Sequence, residues 1–83
     1  MRELKNIVIY TKDHCPFCNR VLSYLNSMGA EFKKIRVDDS AELYEELKMK
    51  TNHRTVPQIF VNEEFIGGAK EFFEWIESDN GNR

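Results

Sequence analysis

The chain has 83 residues, 41% of them hydrophobic, and 12 Lys and Arg against 14 Asp and Glu leave a net charge of −2. Such a length and apolar content fit a small folded domain and exclude a disordered chain, while the near-neutral charge, with no cluster of bases among aromatics, gives nucleic acid no footing. No apolar run approaches the roughly 18 residues of a membrane span, the charged start lacks a signal-peptide core, and two cysteines without an export signal point to a reducing cytoplasm, where a disulfide is transient.

Lys5 closes a charged lead-in, and Ile7-Val8-Ile9-Tyr10 is apolar on both faces, as a central strand covered on both sides would be. A polar loop, Thr11 to His14, then leads into Cys15-Pro16-Phe17-Cys18. From there Cys18, Val21, Leu22, Leu25 and Met28 recur at the spacing of one helix face, which predicts a helix over about Pro16 to Met28. Proline suits the first helical position, where its missing N–H has no intrahelical partner, and Gly29 suits the stop. Phe32 to Val37 alternates, with Ile35 and Val37 apolar among Lys33, Lys34 and Arg36, so it reads as a strand with one wetter side whose lysines protect an edge. Strand, helix and strand together predict a right-handed parallel crossover.

Asp39 or Ser40 can cap a second helix, with Glu42 early in it and Leu43 and Leu47 as its apolar stripe. Lys48, Lys50 and His53 lie toward its C-terminal end and read as compensation of the helix dipole. Thr55-Val56-Pro57 breaks that helix. Gln58 to Val61 is a strand, Asn62-Glu63-Glu64 a turn and Phe65-Ile66 a short return, which together make a hairpin. Gly67-Gly68 ends it, and a last helix is predicted over Ala69 to Glu77, with Phe72, Phe73 and Ile76 as core contacts. The rings of Phe72, Phe73 and Trp75 read as packing in preference to a ligand platform. Ser78 onward is expected to fray, so the chain reads as one domain over residues 1–83 with 79–83 in a loose tail.

The chemistry of the chain concentrates in its cysteines. Cys15 falls at the start of the first helix and Cys18 one turn inside it. Residues three apart on a helix have Cα atoms about 5 Å from each other, within the span of a disulfide, so the pair can open and close with little backbone motion. Unpaired N–H groups and the positive end of the helix dipole favour an anion at Cys15, and Lys12 adds a positive charge nearby. Cys15 is therefore expected to be the attacking thiolate and Cys18 the protonated resolving thiol. The plainer alternatives are half of a zinc site or two inert buried thiols. A structural zinc needs four ligands, and only His14 and His53 remain to join the pair; His14 adjoins Cys15 and would face the loop. Reversible redox use is the favoured reading, with no metal.

Cys15-Pro16-Phe17-Cys18, then Thr55-Val56-Pro57-Gln58-Ile59-Phe60-Val61, then Gly67-Gly68 resemble, in order and spacing, the three signatures of a dithiol glutaredoxin. The resemblance covers the chain apart from its last few residues. It implies an α/β, thioredoxin-like fold, βαβαββα, with a four-stranded mixed sheet flanked by three helices. It also implies a cis Val56–Pro57 bond facing the cysteines, with the Val56 N–H and C=O pairing to an extended peptide as a strand would. In this family that peptide is glutathione, a cosubstrate and not a tightly bound cofactor. By resemblance Lys12 faces its glycine carboxylate, and Phe17, where Tyr is usual, forms an apolar wall. Thr55, Val56 and Pro57 line the middle. Gly67 and Gly68 allow close approach of the γ-glutamyl end, whose carboxylate meets backbone N–H groups near Ala69 and Lys70 and whose ammonium meets Glu71.

This sequence departs from the family at four places. Ala69 replaces a frequent cysteine, Lys70 a Ser or Asp, Glu71 a shorter Asp, and Tyr44 an Arg or Gln on the second helix. The activity implied is reduction of protein–glutathione mixed disulfides and protein disulfides by a cytoplasmic monomer whose partners are glutathione and disulfide-bearing or glutathionylated proteins, without nucleic acid or membrane. The competing readings are a glutaredoxin-shaped electron donor fed by a thioredoxin reductase, and an iron–sulfur carrier that uses Cys15 and glutathione as ligands. Pro16 speaks against the carrier, since cluster-binding relatives usually have a smaller residue there.

Overall fold

A computed structural model describes residues 6–81, with side chains through residue 78, so the lead-in closed by Lys5 lies outside the described residues. Its elements are β1 (Ile7–Thr11), α1 (Pro16–Ser27), β2 (Phe32–Arg36), a 3-10 turn (Val37–Asp39), α2 (Ala41–Thr51), β3 (Gln58–Val61), β4 (Glu64–Gly67) and α3 (Ala69–Gly81). The strands form a mixed four-stranded sheet in the order β2-β1-β3-β4. Ile9 pairs with Lys34 in parallel on one side and with Ile59 antiparallel on the other. The expected architecture is therefore present, with β1 at its centre and the lysine-bearing β2 at an edge.

The continuous apolar run of β1 follows from this position. Successive side chains of a strand point to opposite faces. Ile7 and Ile9 are buried on one face with Val21, Leu25, Ile59, Val61, Ala69 and Phe72, which brings α1 and α3 down on that side. Val8 and Tyr10 pack on the other, against Val37, Leu47 and Phe60 beneath α2. Phe72 is the largest fully buried side chain, and its ring meets those of Tyr24, Phe73 and Trp75 at 6.0, 5.5 and 6.2 Å, so these aromatics are core packing.

The element ends sharpen the sequence reading. Gly29 takes a φ of +70° just past α1. Ser40, and not Asp39, caps α2: its Oγ accepts from the Leu43 N–H at 3.1 Å, while Asp39 belongs to the preceding 3-10 turn. That turn also takes Val37 out of β2. Asn52 ends α2 in the left-handed region, its N–H donating to the Lys48 carbonyl at 2.8 Å. Asn62 and Glu63 both have positive φ, 53° and 70°, as a two-residue type I′ turn requires, and Glu64 joins β4. The last helix does not stop at Glu77; it runs on to Gly81, so the described part of the expected tail is helical backbone. Lys48 does more than meet a dipole. Its Nζ pairs with Glu45 at 2.9 Å and lies 4.5 Å from the Tyr44 ring centre, and Lys50 lies over Phe60 at 5.5 Å.

Candidate active site

The loop between β1 and α1 carries the cysteines to the C-terminal end of the central strand, where an α/β sheet leaves its crevice. Cys15 is the N-cap of α1, with Pro16 at the first helical position. Its Sγ accepts from the Cys18 N–H at 3.2 Å, so the first unpaired donors of the helix point at this sulfur. Cys15 and Cys18 are joined by a disulfide across a Cα separation of 5.2 Å. The two sulfurs are unequal. Cys15 retains 7% exposure and lines an open depression, whereas Cys18 is 1% exposed and lines none of those described. Only Cys15 offers a substrate an approach.

Two depressions meet beside the disulfide, at Phe17, Thr55 and Val56. Lys12, His14, Cys15, Pro16, Tyr44 and Arg54 line the first, and His53, Pro57, Gly68, Ala69, Lys70 and Glu71 the second; Phe17, Thr55 and Val56 line both. Lys12, Phe17, Thr55, Val56, Pro57, Gly68, Lys70 and Glu71 thus converge from four parts of the chain onto one groove, whereas Gly67, also expected there, lines neither depression and instead lies against Glu71. Phe17 is more than half exposed and stands as the apolar divider between the two ends. The Val56–Pro57 bond is cis, and the Val56 carbonyl oxygen lies 3.8 Å from Cys15 Sγ. Among the described residues, no three His, Cys, Asp or Glu side chains come together as a metal site would need.

The supports of this groove were not singled out by the sequence. Arg36, whose neighbours suggested only a protected edge, donates to Asp13 at 2.7 Å, while the Asp13 N–H donates to Asp38 at 2.8 Å. These contacts tie the cysteine loop to the end of β2, and His14 within that loop holds a φ of +58°. Gln58 is fully buried and clamps the opposite wall. Its Nε2 donates to the carbonyls of His53 at 2.6 Å and Thr55 at 3.1 Å, and its Oε1 accepts from the Thr51 hydroxyl at 2.8 Å. A buried amide with every partner supplied fixes a segment more firmly than apolar packing would. Tyr44 donates to the Arg54 carbonyl at 3.1 Å, so the residue that stands where an Arg or Gln was expected instead holds a loop whose own Arg54 lines the groove. The legible signal was Arg54 itself, one position before Thr55.

Glu71 has a role that the sequence reading did not assign. It is the third residue of α3, and its Oε1 accepts from the Gly68 N–H at 2.8 Å, a carboxylate reaching back to cap its own helix. That hydrogen bond, then its own backbone N–H, hold its carboxyl below the ordinary value of 4.5, with smaller help from His53 and Lys70. A carboxylate depressed in the folded state stabilises above the unfolded value, and the contribution is lost as pH falls through the folded one. Glu71→Gln is therefore expected to lower stability toward denaturant at pH 7. The gap from the unsubstituted chain should close on titration to below pH 4.5, as measured by urea unfolding at both pH values. A gap that stays constant through that range would remove the charge from the cap.

A family model described as Glutaredoxin matches residues 7–66. Glutaredoxin 3 of Escherichia coli strain K12 is 37% identical over 70 residues, which cover 84% of this chain and 84% of that protein. Wheat glutaredoxin has a solved structure that superposes with a TM-score of 0.80 at 34% identity, over 86% of this chain and 70% of the wheat chain. A solved buckwheat glutaredoxin–glutathione complex gives 0.82 at 28% identity, over 88% and 69%.

Proposed function

The chain belongs to the glutaredoxin family, and from that membership we propose that it is a glutathione-dependent thiol–disulfide oxidoreductase. The observation that carries the reading is the asymmetric disulfide: Cys15 capped onto α1 and open to a groove, Cys18 sealed beneath it. In the reduced protein the Cys15 thiolate attacks the glutathionyl sulfur of a protein–glutathione mixed disulfide. A Cys15–glutathione disulfide forms, and the protein leaves as a thiolate that takes up a proton. A second glutathione thiolate then attacks the bound glutathionyl sulfur, giving glutathione disulfide and restoring Cys15. With a protein disulfide, Cys15 forms the mixed disulfide and Cys18 attacks it, transferring its proton to solvent. This closes the Cys15–Cys18 bond and releases the protein dithiol. Two glutathiones reopen the bond.

The groove suits the tripeptide end to end. Lys12 and Arg54 meet the glycine carboxylate, the Val56 backbone pairs with the cysteinyl unit, and Phe17 walls the middle. The start of α3, with Lys70 and Glu71, takes the γ-glutamyl end. The buckwheat relative solved with glutathione supports that choice of ligand. Among the described residues no helix is long and apolar enough to cross a membrane. Action as a cytoplasmic monomer, with one domain over residues 1–83, belongs to the same proposal.

The test is a coupled assay in which glutathione, glutathione reductase and NADPH turn over a glutathionylated peptide. Steady NADPH oxidation that depends on both this protein and glutathione is expected. Turnover with thioredoxin reductase alone, and none with glutathione, would instead make the protein a reductase-fed electron donor.

A further inference from the structure

The two faces of the sheet are covered unequally. α1 and α3 lie on the face of Ile7 and Ile9, whereas α2 is the one helix on the face of Val8 and Tyr10. Four strands about 4.8 Å apart span roughly 14 Å between their outer axes, and a helix with its side chains is only about 10–12 Å across. Part of that face is therefore left open, as a depression of about 610 Å³ that shares no described lining residue with the groove at the disulfide. The strand register builds its floor. Val8 pairs with Lys33 of β2 on one side and with Phe60 of β3 on the other, so the three side chains form one row on the same face. Tyr10, two residues along β1, adds a ring 5.8 Å from that of Phe60. Lys50, near the end of α2, reaches over Phe60 with its Nζ 5.5 Å from the ring centre. Both lysines line the depression, and among the described residues neither forms an ion pair. Asn6 and Glu63 close one end, where the Asn62 N–H donates to the Asn6 carbonyl at 3.2 Å.

We infer that this depression is a binding site for a small aromatic monocarboxylate, separate from the site of thiol transfer and independent of the glutathione-dependent reading. Its volume falls within the roughly 300–1,000 Å³ of small-molecule sites, and an aromatic floor with a few polar groups at its edge is their usual make-up. The ligand's ring lies on Val8, Tyr10 and Phe60, and its carboxylate sits between the two lysines. Lys33 and Phe60, which Lys50 overhangs, are two strand spacings apart, about 10 Å, so both long side chains can reach one anion above Val8. Glu63 disfavours a second negative charge at the far end, which restricts the ligand to one carboxylate. The two lysines thus have a use beyond guarding a sheet edge and meeting a helix dipole.

The experiment titrates 3-phenylpropionate into the isotopically labelled protein and follows the backbone amide chemical shifts, with 3-phenylpropionamide as the probe that keeps the ring and loses the charge. Saturable shifts are expected at Val8, Tyr10, Lys33, Lys50 and Phe60, and none at Cys15, Val56 or Gly68. Lys33→Gln and Lys50→Gln should each weaken binding of the carboxylate about threefold and the double variant about tenfold, the scale of exposed ion pairs. The amide should bind the unsubstituted chain about tenfold more weakly than the carboxylate and be indifferent to both substitutions. An amide spectrum unchanged away from the substituted positions shows that the variants keep the fold. Equal affinity for carboxylate and amide, undiminished affinity in the double variant, or shifts centred on the groove at Cys15 would overturn the site. Saturation of these residues by an acidic peptide and not by 3-phenylpropionate would overturn the small-molecule assignment. The same shifts on raising protein concentration without ligand, the mark of a second copy on this face, would overturn it as well.

Discussion

Cys15→Ser is expected to reduce thiol transfer to the uncatalysed background with every disulfide substrate, whereas Cys18→Ser should keep most of the activity on glutathione mixed disulfides and lose it on protein disulfides. Access and hydrogen-bond donors distinguish the two sulfurs. Cys15 is the sulfur that lines the groove, and it receives the Cys18 N–H at 3.2 Å, an interaction that favours a thiolate once the disulfide is opened. Serine at that position has a hydroxyl far too weakly acidic to attack. Cys18 is 1% exposed, so its partner in chemistry is Cys15 and not a substrate. On a glutathione mixed disulfide the adduct at Cys15 is open to a second glutathione, and Cys18 is dispensable. On a protein disulfide, the buried second thiol is what releases the bound target. Initial rates for both variants on both substrate classes decide the matter. Loss of both activities in Cys18→Ser would overturn the division of roles.

The fold was legible because its signals were local and redundant. The run Ile7 to Tyr10 is apolar as a strand with two covered faces would be, and Pro16 and Gly29 bracketed the first helix. The main boundary error, at Glu77, arose because Ser78 to Gly81 looks polar and loop-like, while the helix continues through it in the structure. The groove residues were legible through the family motifs, which place Thr55, Val56 and Gly68 opposite Cys15. Their supports were not. Arg36 reads as one more charge on an edge strand until Asp13 and Asp38 stand beside it, and Gln58 reads as an ordinary strand residue until Thr51, His53 and Thr55 close around its amide. Such roles depend on contacts between distant or differently folded segments, which periodicity and propensity do not encode. His53 is a sharper case. It counted toward a helix dipole by position, yet α2 ends at Thr51 and the left-handed Asn52 turns the chain so that the imidazole faces α3.

Gly67→Ala is expected to be the most damaging single-methyl change in the groove. Gly67 holds a φ of +130°, a conformation that side-chain-bearing residues rarely adopt, and an added Cβ would stand 2.5 Å from Glu71 Cβ and 2.8 Å from its Cγ. Glu71 Cβ is anchored directly on α3, so the overlap cannot be relieved by rotating a distant side-chain end. Backbone strain of roughly 1–3 kcal/mol and overpacking of similar size give about 4 kcal/mol in total. For a domain of this size that lowers Tm by roughly 16–32 °C. Gly29 provides the control, since its φ is +70° and nothing lies within 4 Å of an added Cβ. Gly29→Ala should therefore cost only the left-handed backbone, about 1 kcal/mol, and a Tm shift of roughly 4–8 °C. Site and stability are coupled in the first variant, because moving α3 away from Gly67 also draws Glu71 off the Gly68 N–H and widens the γ-glutamyl end of the groove. Thermal unfolding of both variants, with KM for a glutathionylated peptide measured in parallel, separates the two costs. Equal Tm losses for Gly67→Ala and Gly29→Ala would mean that a Cβ at Gly67 is accommodated beside Glu71 at no further cost.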